Sequence, residues 1–357
     1  MKRIVIDVLI WCALTALLVI GALNLGALES HSAVSLRYRT PVSGQAAWQV
    51  RSYAAGLNSA DTFWPTFWHE TKSDITSDFI SAKAGCIYYS GNADLVWPAP
   101  YKCGSAPGVT DGAGCAVSSA LAWKLWGSFD ILGKTIDVDG VTRTVRGVFE
   151  EDGLVALLSV RDEDKSHSFT AMELSGGPSS PSREDAVSFA IAAGLGAPDS
   201  VLLGTPASLA RLLFALPLII MACYGIVLFV GAMKNHPAAL RGALFLALIG
   251  FAIVLPFLLD ALPGRIIPTR WSDFSFWGSL AGQMGDELRE YLSLEPRLKD
   301  VIYKTLVIKQ VAIAFPAIIC SITVCFRWHI FTLQSGQTHG LRPKTPAPPN
   351  RGVDFGS

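Results

Sequence analysis

Apolar residues gather into four long blocks, 1–28, 209–232, 243–262 and 306–326. Each has about the twenty residues that a helix needs to cross roughly 30 Å of hydrocarbon at 1.5 Å per residue. We read them as four transmembrane helices. In the first, Lys2 and Arg3 precede an apolar run from Ile4 to Leu28. That run is longer than the apolar stretch of a signal peptide, and Leu25-Gly26-Ala27-Leu28-Glu29 offers no small-x-small cleavage site, which favours a retained helix. Lys309 near the start of the fourth block can snorkel, as can Asp7 and Asp260 near helix ends.

Between the first two blocks, 29–208 changes period. Gly85–Ser90 is rich in aromatic and β-branched residues. In Thr135–Val148, Ile136 and Val138 alternate with polar residues, Asp139-Gly140 supplies a two-residue turn, and Val141, Val145 and Val148 lie on the return strand. Ser118–Trp126 reads as a short helix with a serine cap, closed by Gly127. A further helix over 183–194 takes Ser182 as its cap. Mixed hairpins and helices predict an α+β domain inserted after the first of the four transmembrane helices.

The positive-inside tendency places Lys2, Arg3, Lys234, Arg241 and Arg327 in the cytoplasm. Both termini are then cytoplasmic, 29–208 is extracytoplasmic and 263–305 is a second outer segment. This is a multi-pass protein of the cell membrane. Within 263–305, Trp271, Phe274 and Trp277 suit the headgroup level, as an aromatic belt and a candidate contact for an amphipathic ligand. Leu280, Met284, Leu288, Tyr291 and Leu292 then recur at helical spacing, as in an interfacial helix. The proline-rich segment 327–357 reads as a disordered cytoplasmic tail.

Composition fits a membrane solvent, since 51% of residues are hydrophobic and only 16% charged, too few to cover a soluble surface. With 29 basic and 29 acidic residues and no basic run, a nucleic-acid partner is excluded. Of the seven cysteines, Cys12, Cys223, Cys320 and Cys325 fall in membrane blocks. Cys86, Cys103 and Cys115 fall in the outer domain, where one disulfide among them or three reduced thiols are both open. No phosphate loop, dinucleotide fingerprint, zinc spacing or Gly-x-Ser-x-Gly elbow occurs. His31, His69 and His167 read as loop or surface residues. We therefore expect no catalytic residue, cofactor or metal, and no enzyme.

One stretch is more specific. From Gly114 to Glu150 the chain runs through a strand, a helix ending in Leu125-Trp126-Gly127, then Leu132-Gly133-Lys134 ahead of a hairpin that closes on Val145-Arg146-Gly147-Val148-Phe149. This resembles the extracytoplasmic core domain of MacB-type and FtsX-like ABC transporter permeases, with Gly127 and Gly133 at turn positions. One helix, a large outer domain and then three helices also resembles that family's layout. The resemblance implies a permease-like membrane subunit, acting as a homodimer or with a paired permease subunit, that couples a separate ABC ATPase to export or extraction through the outer domain. Docking of that ATPase falls to the short inner loop, with Lys234 and Arg241 as its fixed charges. The loop is much shorter than the family's docking segment, which leaves a transport-inactive sensor or scaffold with the same outer domain as the alternative.

Overall fold

The computed structural model describes residues 2–30, 33–57, 62–77, 80–161, 164–176, 182–233, 274–293 and 297–339. Along the chain these form α1 (Lys2–Ser30), β1 (Val34–Ser43), α2 (Gly44–Gly56), β2 (Phe63–Thr76), β3 (Ser81–Ser90) and α3 (Ala93–Val96). Next come β4 (Tyr101–Gly104), β5 (Gly114–Ser118), α4 (Ser119–Trp126), β6 (Thr135–Val138), β7 (Val141–Phe149), β8 (Val155–Ser159) and β9 (Ser168–Gly176). The chain ends through α5 (Arg183–Ala192), β10 (Ser200–Leu202), α6 (Thr205–Met233), α7 (Phe274–Ser293) and α8 (Leu298–His339).

Spans within α1, α6 and α8 are long and apolar enough to cross a membrane. They fall on the first, second and fourth apolar blocks, while the expected helix over 243–262 lies outside the described residues. The last helix differs from its expected bounds. It starts at Leu298 rather than 306, because Asp300 accepts a hydrogen bond from the Arg297 amide and begins the helix ahead of the apolar block. It also continues to His339, into the segment read as a disordered tail; 340–357 lie outside the described residues. With 42 residues it is about 63 Å long, roughly twice the hydrocarbon thickness. Helix α7 covers the expected interfacial stretch.

The strands form one sheet in the order β10-β1-β9-β2-β3-β8-β5-β7-β4, and β6 pairs with both β2 and β7. Because Ile75 and Thr76 of β2 pair with Val138 and Asp137 of β6, the strands β2-β3-β8-β5-β7-β6 close on themselves. The β6–β7 hairpin turns at Asp139 (φ 52°) and Gly140 (φ 80°), the positive angles of a two-residue turn matched to strand twist. Helix α4 is capped by Ser118, whose side chain accepts from the Leu121 amide, and ends on Gly127 at φ 63°.

Strand alternation divides the buried side chains. From β3 and β8, Cys86, Tyr88, Ala156 and Leu158 join Leu121 and Leu125 of α4 in the main core. Ile87, Tyr89, Val155 and Leu157 point the other way, into a second cluster with Trp68 and Phe149. Leu298 and Ile302 of α8 pack on that second cluster, so the last membrane helix is part of the outer domain's packing. Cys86, Cys103 and Cys115 are free thiols. Burial pushes the Cys86 thiol up to about 11 and the Cys115 thiol up to about 12, which leaves both unreactive.

Candidate coupling site between the outer domain and the last membrane helix

Three adjacent strands build one wall of the site. Register sets Ser35 of β1 opposite Glu173 of β9 and Thr66 of β2, and in the next row of the same face Arg37 opposite Ala171 and Trp68. The small Ala171 leaves room for the Arg37 guanidinium to lie 4.8 Å from the Trp68 ring centre. Glu173 is fully buried. It accepts hydrogen bonds from the Ser35 hydroxyl at 2.7 Å and the Trp68 indole at 2.9 Å.

The N-terminus of α8 supplies the opposite wall. Lys299 Nζ lies 3.0 Å from Glu173 and donates to the Leu95 carbonyl of α3 at 2.5 Å. Asp300 accepts from Arg37 Nη2 at 2.9 Å. Glu70, two residues beyond Trp68 on β2, accepts from the Leu298 amide at 2.8 Å and so caps α8 from a distant strand. Gly85 of β3 gives Leu298 its present seat: a Cβ there would stand 2.4 Å from Leu298 Cδ1, and the leucine side chain would have to turn aside.

Electrostatics holds the centre ionised. Burial by itself would raise the Glu173 carboxyl, but Lys299, Arg37 and the two hydrogen bonds outweigh it and hold the group below the ordinary carboxylate range. Glu70 moves the other way, raised by burial against the opposing pull of the Leu298 amide and Arg297. His69, beside it, is half-buried rather than a surface residue. It stacks on Tyr88 with ring centres 4.9 Å apart, and burial, with His167 and Arg297 nearby, lowers it to about 4.

Beneath this junction α8 packs on α1 and α6. Leu28, Ala207, Ala210, Tyr291 and Tyr303 are buried together, and Asn24 of α1 donates to Gln310 of α8 at 2.8 Å. Helix α7 is tied to the outer domain by Arg183–Glu290 at 2.7 Å. One helix, with Pro316 in its interior, has its first turn built into the sheet and a later stretch apolar enough to cross a membrane.

The residues singled out in the sequence do not meet here. Lys234, Arg241 and Trp271 lie outside the described residues, and of Phe274 and Trp277 only the backbone, in the first turn of α7, is described. Sequence reasoning missed Glu173, Arg37 and Lys299. The available signal was Glu173 itself, an acid inside the apolar run Phe169–Leu174, since a buried charge demands a partner.

No family model matches this chain, and no curated protein matches it. Among solved structures, the extracellular domain of the noncanonic ABC-type transporter YknZ from Gram-positive bacteria is 11% identical with a TM-score of 0.35, covering 44% of this chain and 88% of that one. The periplasmic region of MacB from Actinobacillus actinomycetemcomitans is 10% identical with a TM-score of 0.40, covering 49% and 89%. A domain assigned to a permease protein from Porphyromonas gingivalis is 16% identical with a TM-score of 0.35, covering 46% and 83%.

Proposed function

We propose that this chain is a permease-type membrane subunit of an ABC assembly, in which a separate ATPase moves the membrane helices and α8 carries the movement into the outer domain. The observation that supports this is the Glu173–Lys299 pair, buried where a membrane helix enters the outer sheet. A buried ion pair does not slide, because separating it leaves an uncompensated charge at a cost of about 3–5 kcal/mol. Movement of α8 in the membrane is therefore passed on whole. In this reading the termini are cytoplasmic, the ATPase meets the inner loop around Lys234 and Arg241, and the aromatic belt of Trp271, Phe274 and Trp277 borders the substrate's path. A homodimer or a paired permease subunit supplies the second half of the assembly.

The test is crosslinking in native membranes, then purification of the full chain in mild detergent. Recovery of an ATP-hydrolysing subunit, lost on Lys234→Glu with Arg241→Glu, is expected. Its absence with and without crosslinking would refute the reading and favour a sensor or scaffold. One observation favours that second reading: a cleft of about 600 Å³ on the outer domain, flanked by Trp48 and Trp64, which are 46% and 52% exposed. Exposed aromatic faces on a cleft suit a partner in the envelope.

A further inference from the structure

Two half-exposed tryptophans, Trp48 and Trp64, line the cleft of about 600 Å³ named above. On α2, Ala47, Val50 and Ala54 turn into the core, while Trp48, Arg51, Ser52 and Ala55 recur at i, i+3, i+4 and i+7 on the side that lines the cleft. The start of β2 at Trp64 and the turn Gly91–Asp94 supply further wall. That turn is laid against β2 by the Asn92 amide, which donates to Thr66 Oγ1 at 3.0 Å, with Gly91 at φ 132°. Among the described residues, Arg51 is the one cation lining the cleft and Asp94 the one anion. The Arg51 guanidinium is held in place by donating from Nη1 to Ser90 Oγ at 2.9 Å.

Strand register fixes which end of the sheet carries Trp64. Trp64 pairs with Ser175 of β9, two residues beyond Glu173, which faces Ser35 and Lys299. In that direction β1 leads back to α1 and β10 on to α6, whose apolar spans end at Glu29 and start at Thr205. Helix α8 descends the same way: Arg297 bonds Thr170, Lys299 meets Glu173, and the Tyr303 hydroxyl accepts from the Ala207 amide at 3.1 Å. Two strand residues cover about 6.6 Å and four helical residues about 6 Å. Trp64 therefore stands level with Tyr303, within about one helical turn of Leu306, where the fourth apolar block begins.

We propose that this cleft receives the headgroup of a zwitterionic phospholipid from the leaflet beside the sheet domain. Exposed indoles belong at that depth, because each presents an apolar ring and a polar N–H. One cation and one anion in the lining suit a ligand that carries a phosphate and an ammonium together, whereas a ligand of single charge meets one like charge. The faces of Trp48 and Trp64 add attraction for the ammonium. A cleft of about 600 Å³ falls within the range of small-molecule sites. The binding needs only that α1, α6 and α8 cross the membrane, so failure to capture an ATPase would leave it untouched.

The test uses the full chain in nanodiscs of phosphatidylcholine and phosphatidylglycerol in equal parts, with two readouts. In the first, the phosphatidylcholine carries bromine on chain carbons next to the glycerol, and the fluorescence difference between the unaltered protein and Trp64→Phe isolates the emission of Trp64. Quenching of that emission is expected. In the second, native mass spectrometry after release into mild detergent counts retained lipid. One phosphatidylcholine is expected, held about tenfold more weakly by Trp64→Ala. Ala55→Phe fills the cleft from an exposed helix position, leaves both tryptophans in place, and should also lose the lipid. Trp123→Ala is the control: Trp123 is 61% exposed on α4 and touches Phe129, which lies beside Cys103 of β4, at the opposite end of the strand order from β10. It should change neither readout. Absence of quenching at Trp64, phosphatidylglycerol retained instead, full retention in Ala55→Phe, or an equal loss in Trp123→Ala overturns the proposal.

Discussion

Glu173→Leu keeps most of the side-chain volume and removes the buried anion at the centre of the junction. Lys299, 4% exposed, then keeps the Leu95 carbonyl, and Arg37 keeps Asp300 and the face of Trp68. Leaving one partner of a buried ion pair uncompensated costs about 3–5 kcal/mol. The Ser35 hydroxyl and Trp68 indole also lose their acceptor, at about 1–3 kcal/mol each if nothing relaxes. These contributions share atoms and do not add. We expect a total near 4 kcal/mol, and about 3 kcal/mol for Glu173→Gln, which still accepts from Ser35 and Trp68. Lys299→Met should cost a similar amount alone. The double change Glu173→Leu with Lys299→Met removes both charges together and should recover at least about 2 kcal/mol of the summed losses.

Two measurements on the full chain in nanodiscs read this out. Denaturant unfolding gives the global cost. Amide exchange at Leu298, whose N–H is held by Glu70, reports detachment of α8 from the sheet. A local opening made easier by 4 kcal/mol speeds exchange by about a thousandfold. Glu173→Leu within about 0.5 kcal/mol of the unaltered protein, or a double change no milder than the sum, would refute the account of the junction.

Acid should weaken the fold in two steps. His69 is held at about 4 against an ordinary 6.5, so between those values the unfolded chain takes up a proton that the folded chain refuses; stability falls by on the order of 2 kcal/mol as pH drops from 6.5 to 4, and His69→Phe should flatten that window in thermal midpoints against pH. Glu173, held low when folded, contributes fully above about 4.5, and that contribution is lost as pH falls through the folded value; Glu173→Gln should lack this limb. Gly85→Val should drive Leu298 off β3 and cost about 1–3 kcal/mol, with faster exchange confined to the start of α8; an unchanged exchange rate there would contradict the packing. Gly104→Ala places a Cβ 2.0 Å from the Arg146 carbonyl at φ 67°, so we expect a loss above about 2 kcal/mol in the same unfolding assay; a loss below about 0.5 kcal/mol would contradict the geometry.

The sequence was readable where local chemistry decides conformation. Asp139-Gly140 between two alternating runs, Ser118 and Gly127 at the ends of α4, and Ser182 ahead of α5 each carry their own instruction, and each is found where it was read. Strands β1, β2 and β9 were not legible, because Val34–Ser43 and Phe63–Thr76 mix buried and polar positions on both faces of a sheet covered unequally. Closure of β2 on β6 is a long-range pairing that no local signal encodes. The site was missed for the same reason. Arg37, Glu70, Glu173 and Lys299 come from four separate segments, and only register across three strands makes them neighbours. Lys299 and Asp300, read along the chain, are two charges among many in an outer segment.

Lys299 also runs against the preferences of its own helix. It stands in the first turn of α8, where the macrodipole disfavours a cation by about 0.3–1 kcal/mol, and the acids Asp300 and Glu70 offset this by capping the exposed amides. A junction shaped for stability alone would carry apolar residues at 173 and 299, since replacing a buried ion pair by hydrophobic side chains is often neutral or stabilising. What the charges supply is position. Sliding α8 by one turn, about 5.4 Å, would part Lys299 from Glu173, Asp300 from Arg37 and Leu298 from the space above Gly85 together. An apolar patch would tolerate intermediate placements; this one leaves the helix either seated or released. In the permease-type reading proposed above, a helix that moves the sheet domain by a defined step needs that kind of attachment.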